Sequence, residues 1–98
     1  MKLVYLEEAR FELLSAIAWY EECREGLGER FAREIETAET DIIQHPELWG
    51  NVGSGCRRKL LSRFPYGLIY HFPEAGVVEV VAVMHLHRQP GYWSSRNE

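Results

Sequence analysis

The spacing of apolar residues changes once along this chain, near residue 50, and that change limits the folds open to it. Before it, apolar side chains recur at helical intervals. Leu13, Ile17 and Tyr20, flanked by Leu14 and Ala18, form one stripe, and Phe31, Ile35, Ala38 and Ile42 form a second, spaced by four, three and four. Beyond it the period is two. Tyr66, Leu68, Tyr70 and Phe72 alternate with Gly67, Ile69 and His71, as in a strand with one packed face. The run VVEVVAVMHLH, residues 77–87, is so rich in valine that a central strand covered on both faces is expected.

The punctuation between these runs sets the topology. MKLVYL reads as an edge or inserted strand, and Glu7 and Glu8 then open a helix at the end where the macrodipole favours acids. That helix should close near Arg24, because Gly26-Leu27-Gly28 offers the permissive backbone of a tight connection. The second helix must stop by His45, since Pro46 disfavours helical geometry in the residue before it. PELWGNVGSG has the composition of a loop, Arg57 to Phe64 is a strand candidate, and Pro73-Glu74-Ala75-Gly76 is a hairpin loop. The expected fold class is α+β: a helical hairpin on a small, mainly antiparallel four-stranded sheet, in the order β-α-α-β-β-β. Its 98 residues make one domain, 1–98, without repeats.

Composition narrows the function classes. With 46% apolar and 12% aromatic residues the chain is globular. No apolar run approaches a membrane span, and no signal peptide is evident. Cys23 and Cys56 then read as reduced thiols, so a soluble protein of the cytoplasm is expected. Residues 1–48 hold five Lys/Arg against twelve Asp/Glu, a net of −7, while residues 49–98 hold six against three, a net of +3. The first half reads as a solvated acidic helix surface. The second concentrates Arg57, Arg58, Lys59 and Arg63 within seven residues, and alternation would send Arg57, Lys59 and Arg63 to one strand face, able to grip phosphates or to pair with the acidic helices.

Few motifs point to catalysis. His85-x-His87 has metal-ligand spacing on a strand, but the next acid or cysteine is Glu98, so no metal site is expected. GNVGSG lacks the G-K-[ST] ending of a phosphate loop, and the serines lack a nucleophile motif. No cofactor is implied. Tyr66, Tyr92 and Trp93 could stack on bases or fill partner pockets, although Trp93, after Pro90-Gly91, fits better as a clamp for the C-terminal tail. Arg88 lies just past an apolar strand, where a scaffold holds a polar group rigidly.

Taken together, RRKLLSRFPYGLIYHF and VVAVMHLHRQPGYWSSR, in this order of elements, resemble the RelE/ParE toxin superfamily of type II toxin–antitoxin modules over essentially the whole chain, and most closely its ParE-like, plasmid-stabilisation branch. That resemblance implies a growth-inhibiting toxin neutralised by a cognate antitoxin, alone or in homo- or hetero-oligomers. ParE-like members bind and poison DNA gyrase, whereas RelE-like members cut messenger RNA in the ribosome without a metal. The cutting branch usually has a basic residue where this chain has Gly67, a transition-state arginine where it has Leu86, and a further cation at Leu60. Arg58, Arg88 and Tyr92 keep places compatible with that branch, and His85 could serve as a base. The expected catalytic set, if the chain is a ribonuclease, is therefore His85, Arg88 and Tyr92. The expected binding set is Arg58, Arg63, Tyr66, Arg88 and Trp93. Inhibition by binding is the first reading; a ribosome-dependent mRNA endonuclease, or a degenerate non-toxic antitoxin-binding member, are the alternatives.

Overall fold

The computed structural model describes residues 1–96 of the chain. Strand β1 (Lys2–Tyr5) leads into helices α1 (Glu7–Cys23) and α2 (Leu27–Gln44). Strands β2 (Gly50–Gly53), β3 (Cys56–Leu60), β4 (Tyr66–Glu74) and β5 (Val77–His85) follow. They form one sheet in the order β1-β5-β4-β3-β2, antiparallel throughout except for the parallel β1–β5 pair. The α+β class and the hairpin-on-sheet arrangement stand as expected, but the sheet has five strands rather than four. The extra strand, β2, hides in the stretch read as a loop. Its sequence GNVG offers only Val52 for packing, and its last residue Gly53 and the turn residues Ser54 and Gly55 all have positive φ. Pairing with β3, at Gly50–Arg58 and Asn51–Arg57, makes it a strand in spite of its composition.

Two further boundaries move. β3 ends at Leu60, short of Phe64, because the backbone N–H groups of Ser62 and Arg63 turn to donate to Glu34 on α2, at 2.9 and 3.0 Å. β4 runs through Pro73 to Glu74, which leaves Ala75-Gly76 as the turn. In α1, Leu13, Ile17 and Tyr20 pack on the core as expected, whereas Leu14 and Ala18 face solvent.

The hairpin closes tightly because Gly28 lacks a side chain. A Cβ there would lie 2.7 Å from the Ile17 carbonyl oxygen. The Glu21 carboxylate caps the start of α2, accepting the N–H groups of Gly26 and Gly28, each at 3.0 Å.

Valine-rich β5 has a strand on each side and a core on each face. Towards the helices, Phe31, Ile35, Ala38 and Ile42 meet Leu68, Tyr70, Val78, Val80 and Val83. Away from them, Cys56, Ile69, Val81, Ala82 and Met84 form a second core that Trp93 closes. A slip in register, with Tyr70 opposite Val80 but Ile69 opposite Ala82, makes Val81 the extra residue of a bulge.

Candidate functional site

The end of β5 presents a problem that one side chain solves. β1 pairs only with Val77–Val80, so the flank of Val81–His85 on that side has no strand beside it. Glu12, one of few polar residues in the FELLSAIAWY stretch of α1, fills the gap. Its Oε1 accepts the Val83 N–H at 3.0 Å and Arg96 Nη1 at 3.0 Å. Its Oε2 accepts Arg88 Nη1 at 3.1 Å, the Tyr92 hydroxyl at 2.9 Å and Arg96 Nη2 at 3.0 Å. Arg96 Nη1 also donates to the Val81 carbonyl at 3.0 Å. Glu12 and Arg96 thus cover backbone groups that an edge strand leaves open.

The clasp fixes the C-terminal segment and sorts its two arginines. The Arg96 side chain is 16% exposed and grips Glu12 with both terminal nitrogens, which is a structural pairing. Arg88 is 53% exposed and meets the same carboxylate through one nitrogen, with its guanidinium 3.8 Å from the Tyr92 ring centroid. Arg88 is held in place yet faces outward. Burial, and next the hydrogen bond to Glu12, push the Tyr92 phenol well above its ordinary pKa, so Tyr92 stays protonated and its hydroxyl donates a hydrogen bond to Glu12.

Beside the clasp, α1 and the strand ends enclose a groove of about 330 Å³. Phe11, Ser15 and Trp19 line its helical side, four residues apart, and Tyr66, His85 and Arg88 line the other. Phe11 and Trp19 are 72% and 60% exposed. The Tyr66 ring stands edge-on to Phe31 at 5.0 Å and to His85 at 5.0 Å, which joins the groove to the core. A second cavity, of about 610 Å³, continues from Phe11 and Arg88 to Glu7 and Glu8.

Of the residues expected from sequence, Tyr66, His85 and Arg88 share this groove, and Tyr92 lies under Arg88. Arg58 does not join them. It lies across Gly67, where a Cβ would come within 3.0 Å of the Arg58 Cγ, and it borders a separate cavity with Trp49 and Asn51. Arg63 sits exposed in the turn after β3. Trp93 is 3% exposed in the second core, which fits the clamp reading and leaves its ring no open face for a partner.

The three-cation face does not form. Arg57 donates to the Trp49 carbonyl at 2.8 Å, Lys59 stands 3.8 Å from the Trp49 ring centroid and 3.5 Å from Asp41, and Arg63 is off the strand. His87 falls past the end of β5, and its backbone N–H occupies His85 Nδ1 at 3.1 Å. Glu98, the nearest further acid, lies outside the described residues. Sequence reasoning missed Phe11, Glu12, Trp19 and Arg96. The available signal was that Phe11 and Trp19, eight apart, fall outside the core stripe of α1 with a small serine midway between them.

Known proteins fit this geometry. The chain is similar in fold to a protein of the chromosomal ParDE TA system from P. aeruginosa, with a TM-score of 0.67 at 14% identity, covering 89% of this chain and 97% of that one. No curated protein matches its sequence. The family described as the ParE toxin of the type II toxin–antitoxin system parDE matches residues 3–90, from the start of β1 to just beyond the last strand, and the chain belongs to that family.

Proposed function

We propose that this ParE-family toxin acts in the cytoplasm by binding and inhibiting DNA gyrase, and that a cognate antitoxin neutralises it in a hetero-oligomeric complex. The gyrase target comes from the resemblance to the ParE-like branch. The observation that carries inhibition by binding, rather than cutting, is the commitment of Arg88 and Tyr92 to Glu12. Metal-independent cleavage of a phosphodiester needs cations aimed at the developing oxyanion and a matched acid and base. Here Arg88 already faces a carboxylate at 3.1 Å, Tyr92 is held protonated against the same carboxylate, and the cation sites of the cutting branch hold Gly67 and Leu86. Such a surface suits contact better than phosphoryl chemistry. Tyr66 and Arg88, with their apolar surroundings, are the contact residues in this reading, with Arg58 and Arg63 at a distance from them.

The test is a supercoiling reaction with purified gyrase and relaxed plasmid, titrated with the toxin. Inhibition by the wild type, weakened in Arg88→Ala, is the expected result. Growth arrest on induction with unimpaired supercoiling would contradict the gyrase target and favour the ribosome-dependent endonuclease. Normal growth together with unimpaired supercoiling would identify a degenerate, non-toxic member.

A further inference from the structure

Of the three consecutive cations on β3, one has no task in the fold. Arg57 donates to the Trp49 carbonyl, and Lys59 stands against the Trp49 ring and Asp41 of α2, on the side of the strand that faces the helices. Arg58 lies on the other side, opposite Ile69 of the second core. Its stem crosses Gly67, where a Cβ would meet the Arg58 Cγ at 3.0 Å and Cδ at 3.2 Å, with Leu60 Cδ2 at 3.5 Å. The bare backbone at position 67 makes room for that stem, and Arg58 is partly buried. Among the described residues its guanidinium has no hydrogen bond, ion pair or aromatic partner. A charge held partly out of water destabilises the fold unless a counter-charge meets it.

The cavity beside it, of about 370 Å³, is lined by donors. Arg58, Lys59 and Asn51 border it together with Trp49 and the exposed Leu60, and no acidic side chain does so among the described residues. Asn51 Oδ1 accepts the Gly53 N–H at 2.9 Å, which leaves the Asn51 amide nitrogen to donate.

We infer that this cavity receives a carboxylate side chain of the toxin's protein target, gripped by the Arg58 guanidinium while an apolar neighbour on the target rests against Leu60. The inference rests on the reading of the chain as a toxin that acts by binding. It adds a second contact, on the opposite face of the sheet from Tyr66, with Gly67 as the residue that positions Arg58. A nucleic-acid backbone needs several cations in reach of successive phosphates. Here both neighbours of Arg58 face the other way and already have partners, and the half of the chain that builds the helices, residues 1–48, holds five Lys/Arg against twelve Asp/Glu. One isolated guanidinium with an apolar rim matches one carboxylate, which its planar fork can hold through two hydrogen bonds.

The experiment is a binding titration of purified gyrase with the toxin and four variants. Arg58→Ala should weaken binding about tenfold or more, as for a charge pair enclosed by an interface. That loss should shrink as salt rises towards ~1 M, where the Debye length is about 3 Å. Arg33→Ala removes the same charge from an exposed ion pair on α2, and as the control should change binding less than about threefold. Gly67→Ala, whose Cβ pushes the Arg58 stem aside, should weaken binding roughly threefold or more, yet add nothing to Arg58→Ala in the double variant, because both act through one side chain. The same loss from Gly67→Ala in both backgrounds would overturn its positioning role. No binding by the wild type would overturn the gyrase reading and this contact with it. Wild-type binding that neither Arg58→Ala nor Gly67→Ala weakens would overturn the contact alone. So would a gel shift in which the toxin, without gyrase, retains plasmid DNA through Arg58, because the cavity would then hold phosphate.

Discussion

The two helices of the hairpin are nearly equal in length and divide their work differently. In α2, Phe31, Ile35, Ala38 and Ile42 are all buried, and the remaining faces are largely charged or polar. In α1, only Ala9 and Ala16 are buried, and Phe11, Leu14 and Trp19 project into solvent. An amphipathic stripe is the signature of a helix whose task is the core. A helix that is apolar on its outer side as well has a second surface to serve. α2 therefore stabilises the fold, while α1 supplies the groove and, through Glu12, the clasp that aims Arg88.

This division can be broken most directly in the core. Phe31 is fully buried and stacks on Tyr20 at 5.2 Å, so Phe31→Ala should cost about 3–5 kcal/mol in urea unfolding. Trp19→Ala, though it removes a larger side chain, should change stability by less than about 1 kcal/mol, because most of that ring is already in water. Comparable losses from the two would remove the distinction between the helices.

The clasp gives the next largest effect. Glu12→Ala leaves Arg96, the Tyr92 hydroxyl and the Val83 N–H without their acceptor, and a loss of about 3 kcal/mol is expected. Arg88→Ala should cost no more than about 1 kcal/mol, since Arg88 is half exposed and makes one bond to Glu12. If the two variants unfold at the same denaturant concentration, Arg88 is as structural as Glu12 and the outward role assigned to it fails.

Alkaline pH probes the same packing more gently. All five tyrosines have raised phenol pKa values in the folded chain, with burial the largest cause in each, and Tyr70 is pushed up to about 12. The unfolded chain releases these protons nearer pH 10, so their contribution to stability is complete below that pH. It is lost as pH rises through the folded values. Phenolate absorbance should therefore lag behind that of the denatured protein and then rise together with unfolding. Free titration near pH 10 in the native state would contradict the packing of Tyr70 and Tyr92.

The smallest expected difference again separates α1 from the sheet. Cys23, exposed at the end of α1, should react quickly with a thiol reagent. Cys56, buried in the second core with its thiol pKa pushed up by burial, should react only on unfolding. Two fast thiols would show that the second core opens.

Periodicity made α2, β4 and β5 legible from sequence, because each buries a continuous stripe or run whose spacing reports its geometry. β2 was not legible, since GNVG owes its conformation to pairing with β3 and not to its own preferences. The site was readable where one residue type at a strand end carries the chemistry, as with Tyr66, His85 and Arg88. It was hidden where the partner lies far along the chain. Nothing local to Glu12 shows that it will meet Arg96 across 84 positions, or that the edge of β5 needs an acceptor there. The cationic cluster misled for another reason. Arg57 and Lys59 share a side of the strand as alternation predicts, but both turn to Trp49, and Arg63 leaves the strand altogether where its N–H turns to Glu34.

In the proposed function, the Glu12 clasp holds Arg88 and Tyr92 for contact and leaves them unfit for phosphodiester cleavage. Primer extension on an abundant message, after purified toxin is added to translating ribosomes, tests it most directly. Full-length products are expected at toxin concentrations that inhibit gyrase. Codon-linked breaks that disappear with Arg88→Ala would contradict the proposed function.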